Sequence, residues 1–499
     1  VREMQLEQKF REIQKKIKAY NYVFSIVGWD SNTEAPRESF KRRAEMMGIL
    51  SKELFAIETS KETIEVVTGL YNNLTELDDY LQREVKKAKK GLDKIINIPE
   101  EEYIEYMKLI QMSQLVWEDA KKNNDYNSYK DNLQQIIDFT KKFALYYAPN
   151  QDPYDTLLDD FEEGMSTKEY DEFFTVLKED LVPFVKDVLK VANNDYKKFI
   201  NDSYDPKKQE EFCDYLIDVM KFNRNRGLMK KSVHPFTWNT SPEDVRFTTR
   251  YLENYVFSSI FAAIHELGHA TYEQQISTEF DDTLLNGGTS MGIHESQSRF
   301  YENTVGRSEA FWETHFDKFK ELFPEQSVGL TANDMYRAVN FVEASLIRVE
   351  ADELTYPLHI MLRYDIERKI MAGEVSVDEL PRLWNDLMEQ YLGVRPETDS
   401  DGVLQDVHWS GGMIGYFPTY ALGSAYSAQI YYTMIKELDL DEIIKNNELE
   451  KVNEWLKERI HKFGSSKTPK EIMEDVTGEE FNAKYYVQFL MEKYSKLYL

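Results

Sequence analysis

The 499-residue chain carries a single cysteine, Cys213. One thiol excludes an intramolecular disulfide, a multi-thiolate metal site and paired-cysteine redox chemistry, and it suits a reducing compartment. Set in the apolar helical stretch EEFCDYLIDVM, Cys213 reads as a small core residue. Positive charge is also short: 61 Lys and Arg face 89 Asp and Glu, a formal net charge of -28. That balance argues against a nucleic-acid binder, which needs a basic surface to displace counterions, and against docking on anionic lipid. The surplus reads as solvated helix faces. No apolar run approaches the ~20 residues needed to span a bilayer. The opening VREMQLEQKFREIQKKIKAY reads as a charged helix rather than a signal peptide, so the expected location is cytoplasmic. Internal repeats, low-complexity tracts and Pro- or Ser-rich linkers are lacking too.

What is present is a large supply of core-forming residues, with 42% apolar positions, 32 Tyr and 28 Phe. The length predicts more than one lobe. Helical periodicity dominates. Leu6, Phe10, Ile13, Ile17 and Tyr20 form one stripe, and SKETIEVVTGLYNNL and DELPRLWNDLMEQYL repeat the spacing. TPKEIMEDV is a helix start, with Thr468 as N-cap, Pro469 in the first turn and Glu471 closing a capping box. The best strand signal is DVRFTTRY at 244–251. The expected fold is therefore all-α with a small β-sheet beside the site.

The chemistry is announced by AAIHELGHATYEQ at 262–274. His265 and His269 lie one helical turn apart, so both imidazoles can reach one ion. Glu266 is rotated by about 100° from His265, which suits contact with a water on that ion better than ligation. This is the His-Glu-x-x-His pattern of zinc peptidases. A catalytic zinc takes three protein ligands and keeps one position open. The metzincin arrangement, with a third His six residues on, is excluded because Gln275 stands there. An acid is then needed. Glu273 lies further along the same helix and is better placed behind a ligand. Among Glu279, Asp281, Asp282, Glu295 and Glu302, the strongest choice is Glu295: GIHESQSRFYEN follows a glycine turn and reads as a helix able to run back to the ion. Glu266 then serves as general base and acid. His234, His408, Tyr416 and Tyr420 are candidate donors to the developing oxyanion.

Further segments carry a resemblance: HPF at 234–236, DVRFT at 244–248, HELGH at 265–269, HESQ at 294–297, IRVEAD at 347–352 and GVLQDVHW at 402–409, with WDSNTEAP at 29–36 near the start. In order and spacing, the chain resembles the M32 metallocarboxypeptidases, the carboxypeptidase Taq family. The resemblance implies a single catalytic domain over 1–499 of gluzincin type. A helical lobe at roughly 1–230 and a metal-site half at roughly 231–499 would flank a deep cleft. It implies Zn2+, or Co2+, on His265, His269 and Glu295, and Glu266 as base. The activity implied is release of single C-terminal residues from peptides with broad side-chain tolerance, by a homodimer. By family position, Arg348 is the anchor for the substrate carboxylate, with Arg246 second. His234 and Tyr420 are transition-state donors, and His408 binds substrate or holds a loop. His315, His359 and His461 fall outside the motifs and read as structural. The sequence departs from the family at Trp238 and Asn239, where a small residue and glycine are common, and at Ala35, where methionine is usual.

Two alternatives accompany this reading. One keeps the chemistry in an endo-acting oligopeptidase or dipeptidyl carboxypeptidase. The other is an inactive peptide-binding helical protein, against which stands the presence of Glu266 beside all three expected ligands.

Overall fold

Helices build most of the molecule, as the periodicity predicts. The computed structural model describes residues 2–499, the side chain of Glu3 excepted. The first helix runs Arg2–Thr33. Of its expected stripe, Phe10 and Ile13 are buried, with Leu6 and Ile17 packed at their edge. They join Val66, Leu70, Val85 and Leu92 in a small core of their own, while the main core draws on residues from Ala120 to Leu497. Thr468 caps the helix Pro469–Thr477 and closes the capping box with Glu471. The same Glu471 takes both ends of a fork from Arg83, at 2.6 and 3.0 Å, tying the helix Asp79–Ile96 to this one. Cys213 is fully buried, and burial pushes its thiol up to about 12, so it is inert packing material. Among the described residues no helix is long and apolar enough to cross a membrane.

The expected strand is β3 (Asp244–Thr249), and it has two partners that the sequence does not advertise: β1 (Gly227–Lys231) and β2 (Thr237–Ser241). The order is β1-β3-β2, with β1 parallel and β2 antiparallel to β3. Alternation along β3 decides which way the sheet faces. Val245 and Phe247 are fully buried, and the helix Val256–Gln274 packs on this strand. Arg246 and its cross-strand neighbours Leu228 and Trp238 point toward the first helix. Trp238, one of the departures from the family, has its own seat there. A Cβ on Gly28 would lie 1.7 Å from the indole ring, so the ring occupies the space that a side chain at 28 would fill. Beside it Trp29 meets Phe236 edge to face at 5.4 Å.

Candidate metal centre

The helix Val256–Gln274 is apolar nearly all round and so is embedded in the core, with His265 and Glu266 opening from it toward a cavity and His269 one turn further on. The helix Met291–Arg299 lies against it. Ser290 caps that second helix by accepting from the Ile293 amide. Glu162, brought in by the helix Pro153–Phe161, accepts from the Gly292 amide at 2.8 Å and the Ser290 hydroxyl at 2.9 Å. Two glycines set the spacing. A Cβ on Gly268, inside the His-Glu-x-x-His stretch, would lie 2.7 Å from Gln297 O and Ser298 Cα of the second helix. A Cβ on Gly423 would lie 2.6 Å from Cβ and Cγ of Glu295. The helix that carries Glu295 is therefore held closely from both sides, and Glu295 itself against Gly423.

In that position its Oε2 stands 3.3 Å from His269 Nε2 and 3.6 Å from His265 Nε2. Two donors each 2.0–2.2 Å from one tetrahedral ion are roughly 3.3–3.6 Å apart. The donor set and its spacing thus fit a divalent metal. Glu266 also brings a carboxylate oxygen within 4.8 Å of donor atoms of both imidazoles. It is held differently, however: the Thr237 hydroxyl bridges its backbone carbonyl at 3.0 Å and its Oε1 at 3.2 Å.

The outer ring nitrogens are also held. His265 Nδ1 meets Glu302 Oε1 at 2.6 Å. His269 Nδ1 meets His294 Nδ1 at 2.7 Å, and His294 Nε2 meets Glu273 Oε1 at 3.0 Å. These contacts leave both Nε2 lone pairs free when Nδ1 carries the proton in each ring. Arg299 donates to Glu295 at 2.8 Å and Arg307 to Glu302 at 2.5 Å. Burial opposes charge on Glu295 and Glu302, but His265 and Arg299 hold the first, and Arg299 and Arg307 the second, well below the usual carboxylate range. Burial likewise opposes charge on His265, yet Glu295 and Glu302 raise it to about 9. Burial lowers His269, whose outer nitrogen faces another imidazole rather than a carboxylate. The site is thus rich in anionic charge on the His265 side, where a cation is welcome.

The cavity, about 1240 Å³, is lined by His265, Glu266, Glu295, Arg348, Tyr356 and Tyr420. Arg348 lies in a short turn at 348–350 and is buried. Its partner is neither Glu350 nor Asp352 but Asp406, whose Oδ1 accepts from Nε at 3.2 Å and from Nη2 at 3.1 Å. Tyr420, on the helix Pro418–Met434, shares a hydrogen bond of 3.1 Å with His408 Nε2. Burial pushes His408 down to about 4, so it is neutral near pH 7. His234 is exposed on the loop between β1 and β2, and it is the adjacent Pro235 that lines the cavity. Arg246 is not brought to the cluster. It is clamped on Asp244 at 2.7 and 3.0 Å, lies over the Trp29 ring, and lines a separate cavity on the other face of the sheet. Another crevice, by Lys221, Gln274 and Lys457, lies past the end of the histidine helix and shares no residue with the metal cavity. His315, His359 and His461 are buried among packing residues; His461 bridges Gln275 and Gln297.

Arg299 and Arg307 escaped the reading of the sequence, and Glu302, weighed there as a third ligand, instead sits behind His265. Arg299 and Glu302 follow Glu295 by four and seven positions, a helical stripe visible in ESQSRFYE. Past Arg299 the helix widens into a π turn, Phe300–Val305. That turn brings Arg307 back to Glu302 at a spacing no α-helix pairs, and nothing in the composition announces it.

The family model for carboxypeptidase Taq (M32) metallopeptidases matches residues 9–494. Carboxypeptidase 1 of Bacillus subtilis (strain 168) is 42% identical over 494 residues, 99% of each chain. Thermostable carboxypeptidase 1 of Pyrococcus furiosus is 36% identical over 487 residues, 96% of each. The crystal structure of an M32 carboxypeptidase from Deinococcus radiodurans R1 superposes with a TM-score of 0.94 at 33% identity, covering 99% of both chains.

Proposed function

The chain belongs to the carboxypeptidase Taq (M32) metallopeptidase family and is a metallocarboxypeptidase, and on that footing we propose that it removes C-terminal residues one at a time using zinc held by His265, His269 and Glu295. The observation that carries this reading is the pair of Nε2···Oε2 spacings, 3.3 and 3.6 Å, made by side chains of two separate helices. A divalent ion held there would supply a Lewis acid for the scissile carbonyl and would acidify the attacking water. Glu266 takes the proton of the attacking water at its carboxylate and returns it to the departing amine. Thr237 fixes the Glu266 side chain against its own backbone. Tyr420, hydrogen-bonded to His408, stands on the cavity wall as a donor to the oxyanion. The exposed His234 reaches it only if its loop turns inward on binding. Arg348 receives the free carboxylate of the substrate. Arg246, held on the far face of the sheet, has a supporting role.

The test is a peptide digest followed over time by mass spectrometry, with and without chelator. Stepwise loss of single residues from the C-terminus, abolished by chelation and restored by zinc, is the expected result. Internal fragments would transfer the cleft to an endopeptidase. We also propose a cytoplasmic homodimer, and sedimentation of the purified protein checks the dimer. Exposed Phe40, Met46, Ile49 and Phe55 on the helix Phe40–Glu58 offer apolar surface for a second copy.

A further inference from the structure

Arg348 sits in a group whose charges do not cancel. Asp406 is shared: its Oδ1 accepts from Arg348, and its Oδ2 accepts from Arg363 Nε at 2.6 Å. Arg363 is fully buried and also donates to His359 O and Gln405 Oε1, each at 2.8 Å. The neighbouring His359 and His408 are held neutral by burial, down to about 3 and about 4. Two guanidiniums therefore face one carboxylate, and the group is one negative charge short where it meets the cavity. Asp406 also consumes the Nε–Nη2 edge of Arg348, the edge most used for a forked pair with a carboxylate. What remains is the Nη1–Nη2 end, and Nη1 already donates to the Tyr356 hydroxyl at 3.3 Å.

Tyr356 has one hydroxyl proton. Its oxygen accepts from Arg348, and among the described residues nothing accepts the proton. The residue lines the same cavity as Glu266 and Glu295. Its ring is pinned beneath the guanidinium of Arg299, 4.9 Å from the centroid. We propose that Tyr356 is the second arm of the carboxylate receptor: its hydroxyl donates to one oxygen of the substrate's C-terminal carboxylate while the free end of Arg348 holds the other. The assignment rests on the reading of Arg348 as anchor and deepens it, turning a single forked arginine into a mixed arginine–tyrosine pair.

The test uses zinc-loaded Glu266→Gln enzyme, so that substrate binds without turnover. Dissociation constants are measured by calorimetry for a blocked dipeptide with a free C-terminus and for its C-terminal amide. Adding Tyr356→Phe is expected to weaken the acid about tenfold (1.4 kcal/mol) and the amide less than about twofold. In the active enzyme the same change is expected to raise KM about tenfold with kcat nearly unchanged. Zinc content and thermal midpoint should hold, since Phe keeps the ring under Arg299. Equal losses for acid and amide, or a fall in kcat alone, overturn the assignment. Should the Phe variant fold poorly, Tyr356→His, a shorter donor, is expected to retain part of the preference for the acid; loss of the whole preference without loss of zinc likewise overturns it. Arg348→Ala separates the two readings. If it weakens the acid selectively and Tyr356→Phe does not, only the tyrosine falls; if Arg348→Ala spares the acid, the anchor itself falls.

Discussion

Gly268 tests whether the spacing of two helices defines the metal site. In Gly268→Ala the new Cβ would stand 2.7 Å from Gln297 O and Ser298 Cα. Ordinary contact is about 3.5 Å, so the helices must part by about 0.8 Å. Neither neighbour is the end of a flexible side chain; both are backbone of the helix Met291–Arg299. Nor can that helix retreat freely, because Gly423 already lies so close that a Cβ there would meet Glu295 at 2.6 Å. Metal–ligand distances tolerate about 0.2 Å, a quarter of the displacement imposed. The expected result is an overpacking cost of about 1–3 kcal/mol in the metal-free protein and a loss of zinc affinity of roughly tenfold to a hundredfold. Competition with a chromophoric chelator measures the affinity, and thermal unfolding the stability. Gly48→Ala is the control, since a Cβ there meets nothing within 4 Å, and it should leave zinc affinity unchanged. If Gly268→Ala bound zinc within about twofold of the parent, helix separation would not be what sets the site.

Other outcomes follow from the same geometry. Glu266→Gln should retain zinc by mass spectrometry and lose several orders of magnitude in turnover, about 10²–10⁴ for the proton transfer alone; near-normal turnover would remove it as the base. Glu295→Ala should deplete zinc at equilibrium dialysis, and full occupancy would mean a different third ligand. Arg348→Ala should cost at least about tenfold in kcat/KM on free-acid peptides, as expected for one charge-assisted bond of about 1.5 kcal/mol, with much less effect on amidated ones; equal losses on both would discard the anchor. Burial pushes the Glu162 carboxyl up to about 7, against the pull of Gly292, Ser290 and Tyr426, from 4.5 in the unfolded chain. The folded form keeps a proton that the unfolded form has lost between those values, so this contribution to stability falls as pH rises through that window. Glu162→Gln should therefore narrow the gap in thermal midpoint between about pH 5 and about pH 8; an unchanged gap would show that Glu162 does not titrate there.

The parts of the site legible in the sequence are those written in local spacing. His265, Glu266 and His269 fall on one helix, and Glu295 opens the next after a glycine turn, so period and punctuation suffice. The capping box at Thr468 is legible for the same reason. Contacts across long separations are not: Arg348 finds Asp406 at 58 residues' remove and passes over Glu350 and Asp352, two and four positions away. β1 carries no alternation to betray it, because GLMKK is mostly exposed and is recruited by pairing with β3. Trp238 reads as an oddity until Gly28, 210 positions earlier, is seen to have made room for it. The direction of His234 is likewise a matter of loop geometry, which residue type does not specify.

The widened turn at Phe300–Val305 gives the strand of residues behind the metal an unusual kind of constraint. Arg307 reaches Glu302 across five positions, and Glu302 in turn steadies the imidazole of His265. Were one residue deleted from the widened turn, the coil would tighten to its ordinary pitch and the turn at 306–307 that carries Arg307 would leave the helix in another direction. The stretch is thus constrained twice, by the identity of its buried side chains and by the number of residues between them.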